Sequence, residues 1–115
     1  MVLTILLKHK FQKQRNISKQ AISLKVHIYK VHIIKSIGYL KIIDDTHYEW
    51  YDGYSDSTGE HIDSEPMKSG TWTIGNYYGG LGIFLYSEGE EFRHWVISDD
   101  YNQLTGDGGN IYIRQ

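Results

Sequence analysis

Leu81-Gly-Ile-Phe-Leu-Tyr86, then Ser87-Glu-Gly-Glu90, then Glu91-Phe-Arg-His-Trp-Val-Ile97 is the stretch that decides the fold class. Side chains along a strand alternate between two faces, so Leu81, Ile83 and Leu85 share one side while Phe84 and Tyr86 take the other. The link between the two halves holds one glycine among three polar residues, the length and chemistry of a hairpin loop. In the second half Trp95 and Ile97 oppose Phe92, His94 and Val96. Two adjacent strands that are apolar on both faces must be covered twice: once by the core, and once by the N-terminal piece, a partner or a ligand.

The same reading extends in both directions. Residues 47–54 form a strand closing at Asp52-Gly53, and residues 71–74 another, entered through Gly70 and left through Gly75-Asn76, with Trp72 and Ile74 on one face. Residues 101–105 and 110–114 flank Gly106-Asp-Gly-Gly109, with Ile111 and Ile113 as the expected core pair. Toward the N-terminus Ile22, Leu24, Val26 and Ile28 alternate with Ser23, Lys25, His27 and Tyr29. The parity shifts at Lys30, and Val31 and Ile33 continue the apolar face, which predicts a bulge or bend in one long strand. Residues 37–43 follow as a further strand with Gly38 at a kink. Short strands linked locally, with no helical period between them, predict an all-β antiparallel meander that closes as a barrel or stacks as a sandwich. Residues 21–115 read as one such domain and residues 1–20 as a basic tail or weak helix.

Charge divides the chain at nearly the same place. Nine of the twelve basic residues precede residue 42, all fourteen acids follow it, and only Lys68, Arg93 and Arg114 are basic thereafter, so the net charge of −2 conceals two unlike pieces. The basic piece, through Lys8, Lys10, Lys13, Arg15 and Lys19, has the charge to meet a nucleic acid or an anionic membrane. It carries no recognition motif and few aromatics, and the acidic body would repel the same polyanion. No nucleic-acid partner is therefore expected, and docking of the arm on the body is the simpler account. The opening Met1-Val-Leu-Thr-Ile-Leu-Leu7 is too short to span a bilayer and lacks the basic start of a signal peptide, so the expectation is no membrane span and, if the chain starts as given, a cytoplasmic protein. Without cysteine there is no disulfide, zinc-thiolate site or thiol nucleophile.

Catalytic chemistry finds no footing: no serine lies in a Gly-x-Ser-x-Gly elbow, and the six histidines show no HExxH spacing. Asp44-Asp45 and Asp99-Asp100 read as turn-forming pairs. The acidic stretch 52–65 departs from the calcium-loop pattern. Its His61, Asp63 and Glu65 line one side of an extended segment, the geometry of a metal site but equally of a solvated edge strand. His94, set among Phe92, Trp95 and Val96, needs a hydrogen-bonding partner and reads as a wall histidine before a general base. No catalytic residue, metal or cofactor is assigned. Trp50, Tyr51, Tyr54, Tyr77 and Tyr78 lie in or beside loops, where flat rings could stack on a sugar or anchor a protein.

Gly70-Thr-Trp-Thr-Ile74, Leu81-Gly-Ile-Phe-Leu-Tyr86, the acidic loop, residues 92–97 and Gly109-Asn-Ile-Tyr-Ile-Arg114 together resemble the C-terminal half of bacterial lipocalin-like domains, and Tyr48-Glu-Trp-Tyr-Asp-Gly53 is similar to an earlier strand of theirs. The resemblance covers about residues 47–115. Where such domains open on a Gly-x-Trp strand, this chain offers Gly38-Tyr39. The resemblance implies a small antiparallel barrel whose interior holds an apolar ligand and brings no shared catalytic residues. The expected function is non-enzymatic binding of a small, largely apolar molecule, with Trp72, Ile83, Leu85, Phe92, His94 and Trp95 as the ligand-binding set. The alternative is a protein or glycan interaction module using the surface tyrosines and tryptophans.

Overall fold

The computed structural model describes residues 27–115, and over that span every regular element is a strand. In chain order these are β1 (His27–Ile33), β2 (Ser36–Ile42), β3 (His47–Asp56), β4 (Gly59–Ile62), β5 (Lys68–Tyr77), β6 (Gly80–Ser87), β7 (Glu90–Ile97), β8 (Gln103–Thr105) and β9 (Ile111–Arg114). Neighbours run β2-β1-β9-β8-β7-β6-β5-β3-β4, and β2 pairs again with β3. All pairings are antiparallel, so that second pairing closes eight strands into a barrel and leaves β4 as a short edge on β3. Closure pairs most of the edges an open meander would leave.

Turn chemistry explains the long central hairpins. Tyr78 and Gly79 have φ of 48° and 81°, and Glu88 and Gly89 have 56° and 82°. Two successive positive values make the two-residue turn whose twist matches the flanking strands. β5 therefore runs to Tyr77, past the expected exit at Gly75-Asn76.

The inward set is Tyr29, Val31, Leu40, Ile42, Tyr48, Trp50, Trp72, Ile83, Leu85, Trp95, Ile97, Leu104 and Tyr112, all buried in one cluster. Trp72 faces Leu85 across the β5–β6 ladder and Ile74 faces Ile83, as the alternation requires. The Trp72 indole N–H donates to the Asp44 carbonyl at 2.8 Å. Asp44 and Asp100 act as turn formers: the Asp44 carboxylate accepts from the Thr46 and His47 amides at 2.8 and 2.7 Å, and the Asp100 carboxylate from the Asn102 amide at 3.0 Å.

Two expectations are corrected. In β9 Tyr112 is buried while Ile111 and Ile113 are nearly half exposed. Both parities of that strand are apolar, and the register Leu104↔Tyr112 settles the choice. In β1 the inward residues are His27, Tyr29 and Val31, and pairing with β2 is continuous from His27↔Ile42 to Ile33↔Ser36, with no bulge at Lys30. Around His61 the expected edge strand is present as β4, with Asp63 and Glu65 beyond its end, and it is tied to its turn by the Asp56 carboxylate, which accepts from the Thr58 amide at 2.8 Å and lies 3.1 Å from His61 Nε2. The expected tail 1–20 and the alternation over 21–26 lie outside the described residues.

Candidate functional site at a break in the barrel wall

The wall is uneven. β5, β6 and β7 pair along most of their lengths, but β8 takes up only Val96 and Ile97 at the end of β7. Alongside residues 91–95 the ladder therefore has no next strand among the described residues, and the β8–β9 loop, residues 106–110, borders the gap. A cleft of about 330 Å³ lies there, lined by Phe92, Arg93, His94, Trp95, Asn110 and Tyr112, with the loop around Asp107 on its far side.

Its floor belongs to the core. Trp50 and Trp95 stack with ring centres 5.8 Å apart and planes 11° from parallel, and Tyr112 meets them at 5.6 and 5.2 Å. Burial pushes the Tyr112 hydroxyl up to about 12, since the anion would lose its water, while the Arg93 charge works against that rise. Between Leu85↔Arg93 and Tyr86↔Glu91 the register slips by one residue, leaving Phe92 as a bulge. Phe92 consequently turns edge-on to Trp50, at 6.1 Å. The Arg93 guanidinium stands 5.0 Å over Trp50 and 5.2 Å over Phe92, and the Lys68 ammonium 5.6 Å over Phe92.

Outside the wall, Tyr77 reaches across β6 to clasp the loop. Its hydroxyl donates to Asp107 Oδ1 at 2.7 Å. His94 Nε2 lies 3.1 Å from both the Tyr77 hydroxyl and Asp107 Oδ2, and its Nδ1 is 3.3 Å from Glu91 Oε1. Gly82 makes the crossing feasible, because a Cβ there would stand 2.9 Å from that of Tyr77. The hydrogen bond to Asp107 pushes the Tyr77 hydroxyl up to about 12, and the same bond, with His94, holds the Asp107 carboxyl below its usual range. A hydroxyl kept protonated and a carboxylate kept ionised form a tether between loop and sheet. Tyr77 and His94 also cover the outer ring of Phe84, at 6.1 and 5.8 Å, so the second apolar face of β6 is covered by the chain itself.

Of the six residues expected to bind ligand, Phe92, His94 and Trp95 line the cleft, whereas Trp72, Ile83 and Leu85 are packed in the core. Trp50, expected beside a loop, is buried in that core, and Tyr77 is engaged in the clasp; Tyr54 and Tyr78 remain exposed. Arg93, Tyr112, Asn110 and Asp107 escaped the sequence reading. Arg93 had one signal, as a rare cation in an acid-rich segment. Asp107 and Asn110 had none, since glycine-rich loops place such residues wherever a turn is needed. Among the described residues no three His, Asp or Glu side chains are grouped to hold a metal ion, and no helix is long and apolar enough to cross a membrane. No family model matches the sequence, and no curated protein or solved structure is similar enough to count as a match.

Proposed function

We propose that the chain is a non-enzymatic binding module that takes a small, flat, largely apolar molecule into the cleft at the wall break. One observation carries the reading: where the ladder stops beside β7, a cleft with a mainly polar surface reaches down to the buried Trp95 and Tyr112 rings of the core. Ligand sites combine these elements, and 330 Å³ is at the small end of their usual size. The resemblance of residues 47–115 to bacterial lipocalin-like domains supports a barrel that holds a ligand, with the site displaced here from the barrel axis to its wall.

Titration with the neutral fluorophore N-phenyl-naphthylamine tests it. One probe per chain should bind and change tryptophan emission, and Gly108→Phe, on the loop at the cleft where a Cβ would meet only Asn110 Nδ2 at 4.0 Å, should block binding while leaving the fold intact. Tyr78, at 94 % exposure, and Tyr54 favour the rival protein or glycan surface. Binding that survives Gly108→Phe and disappears in the Tyr54→Ala, Tyr78→Ala double variant would establish that rival.

A further inference from the structure

The acid-rich segment from residue 42 onward carries fourteen acids and three cations, so a cation there has abundant partners to choose from. Two of the three, Lys68 on β5 and Arg93 on β7, instead stand over the same Phe92 ring. Neither forms an ion pair with an acid among the described residues, although Lys30 is paired with Glu60 and Arg114 donates to Asn102. Three of the acids near Arg93 face other groups. Glu91 faces His94, Asp107 is held by Tyr77 and His94, and Asp52 Oδ1 accepts the Trp50 indole N–H at 3.2 Å.

We propose that the cleft selects a small planar carboxylate, its head received by the Arg93 guanidinium with Lys68 reinforcing the field across Phe92, and its flat body laid against Trp95 and Tyr112. The inference rests on the reading of the cleft as a ligand site and adds the charge of the ligand to it. A guanidinium is weakly hydrated and tolerates an aromatic surface on its face, while its N–H edges keep the planar fork that matches a carboxylate. Arg93 is the cation of the cleft lining, while Lys68 stands behind it against Phe92 and lines a separate cleft with Glu88.

Calorimetric titration of the full chain with naphthoate and with its neutral counterpart naphthamide decides the matter. Naphthoate should bind roughly ten- to a hundredfold more tightly, the worth of a charge-assisted hydrogen bond. Arg93→Gln should remove that preference so that both probes bind alike, and Arg93→Lys should restore part of it. If Arg93→Gln does not fold, two measurements stand in: Lys68→Gln should weaken naphthoate alone, and added salt should weaken naphthoate but not naphthamide in the unaltered protein. Equal affinity for the two probes, or an unchanged preference in Arg93→Gln, would overturn the carboxylate proposal and leave the cleft reading standing. If neither probe binds, the cleft reading falls and the proposal with it.

Discussion

One side of the barrel is a continuous wall and the other is pieced together. β5, β6 and β7 are ten, eight and eight residues long and joined by two-residue turns, whereas β8 and β9 have three and four residues and border a glycine-rich loop. The long side holds Trp72, Ile83 and Leu85 in a sealed core. The short side leaves Trp95 and Tyr112 beside an opening, and the clasp from Tyr77 to Asp107 ties the loop to the sheet where backbone pairing does not. The core anchors Trp72, Ile83 and Leu85 thus sit on β5 and β6 and the opening beside β7 and β9, with Trp95 and Tyr112 common to core and opening.

The largest effect should come from the sealed side. Trp72→Ala removes a 1 % exposed ring and should cost about 3 to 5 kcal/mol in equilibrium denaturation; a loss below about 1 kcal/mol would mean Trp72 does not anchor the core. Next comes the response to alkali. Tyr29 and Tyr112 are pushed up to about 12 by burial, and Tyr77 to about 12 by its bond to Asp107. A raised folded pKa contributes stability that is complete below the unfolded value near 10 and is lost as pH rises toward 12. Unfolding should therefore follow tyrosinate absorbance upward from about pH 10. The Tyr77→Phe, Asp107→Asn pair should move only the loop component of that transition. At the acid end Asp107 has the opposite sign: its contribution is present above 3.8 and is lost as pH falls below it.

Smaller effects separate the turns from the clasp. Ile34, 89 % exposed, sits at φ 56° in the β1–β2 turn, a conformation that crowds a β-branched side chain. Ile34→Gly should stabilise the protein by about 1 kcal/mol, read as a shift in denaturation midpoint with unchanged slope. Tyr77→Phe should leave global stability nearly unchanged while amide exchange over residues 103–110 accelerates roughly five- to tenfold, the loss of one hydrogen bond expressed locally. Acceleration spread evenly over β5 and β6 would show that the clasp is part of the global fold.

The sealed side was legible in the sequence because its residues agree with one another: Trp72, Ile74, Leu81, Ile83 and Leu85 keep period two, and glycine marks the turns. β9 was misread because Ile111, Tyr112 and Ile113 are apolar at both parities, so only pairing with Leu104 fixes the face. β1 fails for the same reason, with Ile28 and Tyr29 both able to face inward. The site was half legible. Phe92, His94 and Trp95 declared themselves as a two-sided apolar strand, but the bulge that turns Phe92 inward, and the early stop of β8 that opens the cleft, are properties of register between distant strands. Period two describes a strand and is silent on where its neighbour ends.

The central claim is that the break beside β7 is where a ligand enters and rests. Amide chemical-shift mapping of the full chain during titration with naphthoate tests it most directly. The account predicts perturbations confined to residues 91–95 and 106–112, saturating at one ligand per chain, with Trp72 and Ile83 unmoved. Perturbations centred on Ile83 and Leu85, or on the exposed Tyr54 and Tyr78, would contradict it.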